Sequence, residues 1–307
     1  MAMPLCLGIG ELMVELAPSD SPDHLRRGFA GDVFNTLYYA RMLMPADWQI
    51  GFHTAFGTDT LSDDMMAFIA QHNIDCTNTP RIEGRSPGLY MITLQDGERS
   101  FSYWRNISAA RLLMRKPDLL AAKLADARFI YLSGITLAIL SPADRQLLLE
   151  MIAQMRSAER TVFFDSNIRE KLWPDGEEMR VAIKAAGAVT DIVLSSLDDE
   201  KRGFGDADAL AVADRYLGWG AQAVVIKDGA APSLLVDGND AVWLPPDIVH
   251  LPVDSTAAGD AFNAGLLAGM AAGKTIREAI PGAHALAAQV VLHPGAIVAA
   301  DIILADH

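Results

Sequence analysis

The sequence predicts an α/β fold, a mostly parallel sheet covered by helices on both faces, with one small β element outside it. Three observations carry this. Short runs of branched and aromatic residues alternate with amphipathic helical patterns along most of the 307 residues. The runs are continuously apolar, which is the pattern of strands buried on both faces. One stretch, residues 88–104, breaks the rhythm with a hairpin pattern.

Leu5–Gly10 is the first buried strand, and helices follow near Val33–Leu43 and Ser62–Gln71. Gly88–Leu94 and Arg99–Trp104 then read as two strands around an Asp96-Gly97 turn. On the second strand Arg99, Phe101 and Tyr103 share one face, and Ser100, Ser102 and Trp104 share the other. An isolated hairpin is not stable in water. It is therefore expected to join strand material near residues 12–30 as a small sheet over one edge of the main unit. Beyond it, strands Phe129–Ser133, Thr161–Asp165, Asp191–Ser195 and Ala223–Lys227 alternate with helices near Pro142–Ser157, Glu177–Ala188 and Asp208–Gly218. Residues 279–300 lack Asp, Glu, Lys and Arg, but Pro281, His284, Gln289, His293 and Pro294 interrupt them. That segment reads as a buried helix followed by a loop, not a membrane span.

The composition, 51% hydrophobic and 21% charged, is that of an ordinary globular chain. Residues 1–307 are expected to form a single unit, with the small sheet drawn from about 12–30 and 86–105. Twenty-five basic residues against 39 acidic ones give a net charge of −14, so phosphate backbones are repelled and no nucleic-acid partner is expected. Cys6 and Cys76 carry no metal or redox spacing and read as small buried hydrophobes, which suits a reducing cytosol. The start has no basic leader region, and Glu11 interrupts its apolar run. A cytoplasmic protein without membrane partners is expected.

Gly8-Ile9-Gly10 has no third glycine at Met13, so the dinucleotide fingerprint fails. Gly269–Thr275 is one residue short of a P-loop and closes a helix instead of opening one. Gly273 there reads as a helix C-cap, with Lys274 at the negative dipole end. The informative stretch is Leu251–Phe262, a turn of small and polar residues running directly into an Ala/Gly-rich helix. Small residues at a helix start let backbone amides face an anion. Asp260 would repel a phosphate that was merely held. It makes sense as a base taking the proton of an attacking hydroxyl; the other reading is a first-turn helix acid.

Val253-Asp254-Ser255-Thr256-Ala257-Ala258-Gly259-Asp260 resembles the D-T-x-G-A-G-D signature of the ribokinase-like (PfkB) carbohydrate kinases, with Ala257 where most members have glycine. Residues 30–36, 87–90, 101–106, 132–135, 165–173 and 197–200 are similar, in order, to one branch of that family, the 2-keto-3-deoxygluconate kinases. That branch often carries T-A-A-G-D. The resemblance implies a three-layer α/β/α domain with a β lid. It also implies transfer of the γ-phosphate of ATP, with Mg2+, to the 6-hydroxyl of the sugar acid.

Carried over by residue, Asp260 is the catalytic base, and Ala257, Ala258 and Gly259 supply the anion-hole amides. Gly31, Asp32, Asn35, Tyr90, Tyr103 and Arg105 match substrate contacts. Arg169 reaches both the substrate and the phosphoryl group. Asn167, Ser196, Lys227 and Gly229 match the nucleotide side, with Asp228 where arginine is common. Ser196 and Asp199 stand at the N-x-x-E motif, which makes Asp199 the metal candidate, with Glu200 able to share the role. Arg105 suits a carboxylate because its planar fork binds one bidentately, with Tyr90 and Tyr103 as hydroxyl donors beside it. The exposed face of the lid offers a surface for self-association.

Two rival functions fit the same residues: a kinase for fructose or another neutral sugar, and a non-catalytic sugar-acid sensor. Gly259-Asp260 and Arg169 argue against the sensor, which needs no base.

Overall fold

The computed structural model describes residues 3–19, 21, 23–95, 98–246 and 251–304. In chain order the strands are β1 (Leu5–Ile9), β2 (Met13–Pro18), β3 (Leu25–Ala30), β4 (Gln49–His53) and β5 (Phe56–Gly57). Next come β6 (Arg81–Ile82), β7 (Gly88–Gln95), β8 (Glu98–Trp104), β9 (Ala127–Ser133), β10 (Thr161–Asp165) and β11 (Ile192–Ser196). The series closes with β12 (Ala223–Asp228), β13 (Ala231–Asp237) and β14 (Asp240–Leu244).

The main sheet has the order β14-β13-β12-β11-β10-β9-β1-β4. It is parallel from β4 to β12, and β13 and β14 add an antiparallel edge. Neighbouring residues on β10 show why its strands are apolar throughout. Phe163 packs into the core beneath the helices Asp32–Leu43 and Ala258–Ala271, and Phe164 into the core on the opposite face. The small-residue stripe of the latter helix serves packing. A Cβ on Gly265 would stand 2.6 Å from the Cα of Ala283, in the helix Ile276–Val290. Gly273, at φ 85, ends the turn between those two helices. Cys6 and Cys76 are buried free thiols, and burial pushes them up to about 12 and about 11. Among the described residues no helix is long and apolar enough to cross a membrane.

A second sheet, β3-β2-β7-β8, unites the hairpin with the strands of residues 13–30. Its β7–β8 register sets Tyr90 opposite Tyr103; the Asp96-Gly97 turn lies outside the described residues. This lid meets the main unit around Glu11, just after β1. A Cβ on Gly31 would come within 2.2 Å of the Glu11 carbonyl oxygen, so only glycine permits this approach of β3 to the core. The buried carboxylate of Glu11 is held by Arg105, beyond the other end of the lid, and by the Ser108 hydroxyl at 2.5 Å.

Candidate active site

β10, β11 and β12 end at one edge of the main sheet, and the helix Ala258–Ala271 begins beside them. Between that edge and the lid lies a cavity of about 640 Å³. Open α/β sheets place ligands at this carboxyl edge.

The floor is the start of the helix. Ala257 precedes it with φ 59 and ψ 11, a left-handed backbone that strains alanine and costs glycine little. Asp254 fixes the preceding turn, accepting from the amides of Thr256 at 3.0 Å and Gly295 at 2.6 Å. A helix leaves its first amides without intrahelical acceptors. The Ala258 amide, however, donates to the Ser255 carbonyl at 3.2 Å, which corrects its expected place in the anion hole. Ala257, Gly259 and Asp260 carry the amides that no described residue engages there.

Asp260 is half-buried, and the Asn35 side chain donates to it at 2.8 Å while accepting from the Gly31 amide at 3.2 Å. Burial, and then the charge of Asp32, push the Asp260 carboxyl up to about 7, against the pull of the Asn35 bond. A carboxylate so placed can act as a base near neutrality. Asp32 in turn accepts from the Asn167 side chain at 2.7 Å. Asn167, at φ 30, donates its own amide to Asp165 at 3.0 Å. Asp165 also receives Lys227 at 3.0 Å and Asn263 at 2.5 Å. One connected polar network thus runs from Asp32 to the helix that carries Asp260.

Gly31, Asp32, Asn35, Tyr90, Tyr103, Asn167, Arg169, Ser196, Asp199, Lys227, Gly229, Ala257, Ala258, Gly259 and Asp260 all line the cavity. On the lid side Tyr90 and Phe101 flank Tyr103, with ring centroids 5.9 and 6.3 Å from it. The Tyr90 hydroxyl donates to Glu15, which leaves its oxygen as an acceptor and not as the expected donor. Asp199 accepts from Arg169 at 3.2 Å and from Arg202 at 2.5 Å. Glu200 takes no part: it is fully buried and bound to Arg215 at 2.7 Å and the Tyr216 hydroxyl at 2.9 Å.

Arg105 is the principal correction. It does not line the cavity; its guanidinium sits 6% exposed against Glu11 at the lid junction. A buried carboxylate strongly favours a cation partner, and a separation of 94 residues hid this one. Conversely, Asn263 escaped the sequence reading, which gives Asp165 only the end of a strand and His284 only a place in a buried helix. Asn263 follows Asp260 by three residues on one helix face, a spacing that could have flagged it. His284 lines the cavity, with its Nε2 2.9 Å from the Ser233 hydroxyl.

The family described as pfkB family carbohydrate kinase matches residues 3–303. A 2-dehydro-3-deoxygluconokinase of Dickeya dadantii is 40% identical over 298 residues, covering 94% of this chain and 95% of its own. One from Escherichia coli K12 is 39% identical over 299 residues, covering 94% and 96%. The crystal structure of a fructokinase with bound ATP from Xylella fastidiosa is similar at TM-score 0.84 and 25% identity, covering 98% and 97% of the two chains.

Proposed function

The chain belongs to the pfkB family of carbohydrate kinases, and from that premise we propose that it transfers the γ-phosphate of ATP to the 6-hydroxyl of 2-keto-3-deoxygluconate. The observation that carries this reading is the position of Asp260. A carboxyl held near neutrality stands in the first turn of a helix whose amides face the same cavity. Asp260 takes the proton of the hydroxyl as its oxygen attacks, and the amides of Ala257, Gly259 and Asp260 hold the transferring phosphoryl group. Gly31, Asp32 and Asn35 orient the sugar from one side, and Tyr90 and Tyr103 from the lid. Asn167, Ser196 and Gly229 line the nucleotide side.

The relatives' name implies an anionic sugar, and the cavity must supply the cation that recognises it. With Arg105 withdrawn to the lid junction, Arg169, whose side chain is 51% exposed, meets the substrate carboxylate. Mg2+ fits the nucleotide side. It is held largely by phosphates and water with one or two carboxylates, and Asp199 provides one at the cavity wall. Among the described residues no group of three or more His, Cys, Asp and Glu could hold a metal ion by itself. When bound, Mg2+ would neutralise phosphate charge beside Asp199.

The reading places the enzyme in the cytosol, in sugar-acid catabolism, and gives it a self-associating lid. Trp104, 58% exposed on β8, supports the last point. Sedimentation of the wild type against Trp104→Lys tests it: the variant is expected to shift toward monomer, and an unchanged distribution removes the lid as the interface.

ADP release measured over a panel of sugars and sugar acids tests the function. 2-Keto-3-deoxygluconate is expected to give the highest kcat/KM, and Arg169→Ala is expected to cost it more than a neutral analogue. Equal or better turnover of fructose would favour the neutral-sugar kinase. Ligand-induced stabilisation without turnover of any sugar would favour the sensor. Lid closure over the substrate excludes water that would otherwise hydrolyse ATP. Saturating sugar acid should therefore slow amide exchange across residues 88–95 and 98–105, and unchanged exchange there would rule closure out.

A further inference from the structure

The cavity is poor in positive charge for the reaction assigned to it. Asp32, Asp165, Asp199, Asp228 and Asp260 line it, and among the described residues Arg169 and Lys227 are the lysine and arginine side chains that do. A triphosphate adds further negative charge. Arg169 is directed to Asp199 and to the Ile168 carbonyl at 2.9 Å. Lys227 is placed differently. It sits near the end of β12, 14% exposed, and donates to Asp165 and to Asn263, each at 3.0 Å. Its ammonium carries three donors, and these contacts engage two. A Cβ built on Gly259 would stand 3.6 Å from its Nζ. The ammonium therefore lies alongside the helix turn whose amides form the anion hole. Three separate elements fix it there: β10 through Asp165, β12 through its own backbone, and the Asp260 helix through Asn263.

We propose that Lys227 is a catalytic residue whose ammonium neutralises charge on the transferring phosphoryl group, and that Asp165 is a positioning residue that aims it. The inference rests on the kinase reading and deepens it. A cation fixed in advance at a site of developing charge needs no reorganisation during the reaction. A lysine held by a buried carboxylate and an amide has that property; a solvated lysine does not. Asp165 is itself 5% exposed, so the pair is buried on one side and open to the cavity on the other.

The test compares Lys227→Met, Lys227→Arg, Asp165→Asn and the double variant Lys227→Met/Asp165→Asn. The last removes the unpaired buried carboxylate that could otherwise unfold the single variant. Equilibrium binding of ATP and of ADP is measured without sugar, alongside steady-state rates with 2-keto-3-deoxygluconate. In both Met variants ATP affinity is expected to fall by a larger factor than ADP affinity. The kcat is expected to fall about 10²–10³-fold, as when one preorganised donor is deleted from an anion hole. Lys227→Arg should restore part of both. Asp165→Asn alone should shift the ATP-to-ADP affinity ratio in the same direction as Lys227→Met, a readout that a merely structural pair would not move. A folded double variant with near-normal kcat, or with ATP and ADP weakened equally, would overturn the proposal. A wild-type enzyme that turns over no sugar sinks the kinase reading instead, while the nucleotide comparison still reports on Lys227.

Discussion

Asp260→Asn is expected to lower kcat by about 10²–10⁴-fold, the usual contribution of a general base, while ATP binding measured at equilibrium stays close to wild type. The substituted amide still fits beside Asn35 but accepts no proton. The wild-type pH profile is expected to carry the same signature. A general base works ionised, and the Asp260 carboxyl is raised to about 7, so with Asp260 in that role kcat/KM should rise with pH through a single ionisation near that value. Asp32 on the helix after β3, Asp165 on β10 and Lys227 on β12 face this group, together with the phenols Tyr39, Tyr90 and Tyr131. Asp32 contributes the largest repulsion among them, so Asp32→Asn should move the acid limb to lower pH. Stability follows with the opposite benefit. Between about pH 4 and 7 the folded state keeps a proton on Asp260 that the unfolded chain has lost, so stability declines as pH rises through that window. Asp260→Asn removes this cost, and its Tm should exceed that of wild type at pH 8 and converge with it at pH 4. Near-normal turnover in the variant would remove Asp260 from the mechanism.

The parts of this molecule legible in sequence are those whose physics is local. β10 and β11 announce themselves because both faces of each are buried, so no polar alternation interrupts them. β14, with three of its five residues exposed at the sheet edge, carries no such run and was missed. The helix after Ala257 was legible because only small residues let backbone face a ligand. That Asn35 meets Asp260 across 225 residues was not, since resemblance brings in Asn35 only as a substrate contact. Arg105, which resemblance alone sets among the substrate contacts, shows what a motif match leaves out. It follows Tyr103 by two residues and would share its face in a continuing strand. β8 stops at Trp104, however, and the chain turns Arg105 inward to Glu11.

That inward turn has the second large consequence. Arg105→Ala is expected to destabilise the protein by about 3–5 kcal/mol, the cost of leaving one member of a buried ion pair without its partner. With an unfolding entropy of ~2.1 cal/mol/K per residue, this corresponds to a fall in Tm of about 5–8 °C. Glu11→Ala should cost a similar amount, because it strands the guanidinium instead. The double variant Glu11→Met/Arg105→Met should recover most of the loss, since two apolar side chains of comparable length replace two charges that had to be desolvated. Only the Ser108 hydroxyl then loses an acceptor, at about 1 kcal/mol. Catalysis separates this junction role from substrate contact. A guanidinium outside the cavity cannot distinguish a sugar acid from a neutral analogue, so Arg105→Met should change KM for both by the same factor. A contact with the substrate carboxylate would give a different pattern. Loss of one charge-assisted hydrogen bond would raise KM for the acid alone, by roughly 10- to 150-fold, in a variant of nearly unchanged Tm. That result would return Arg105 to the cavity and leave Glu11 without its role at the lid junction.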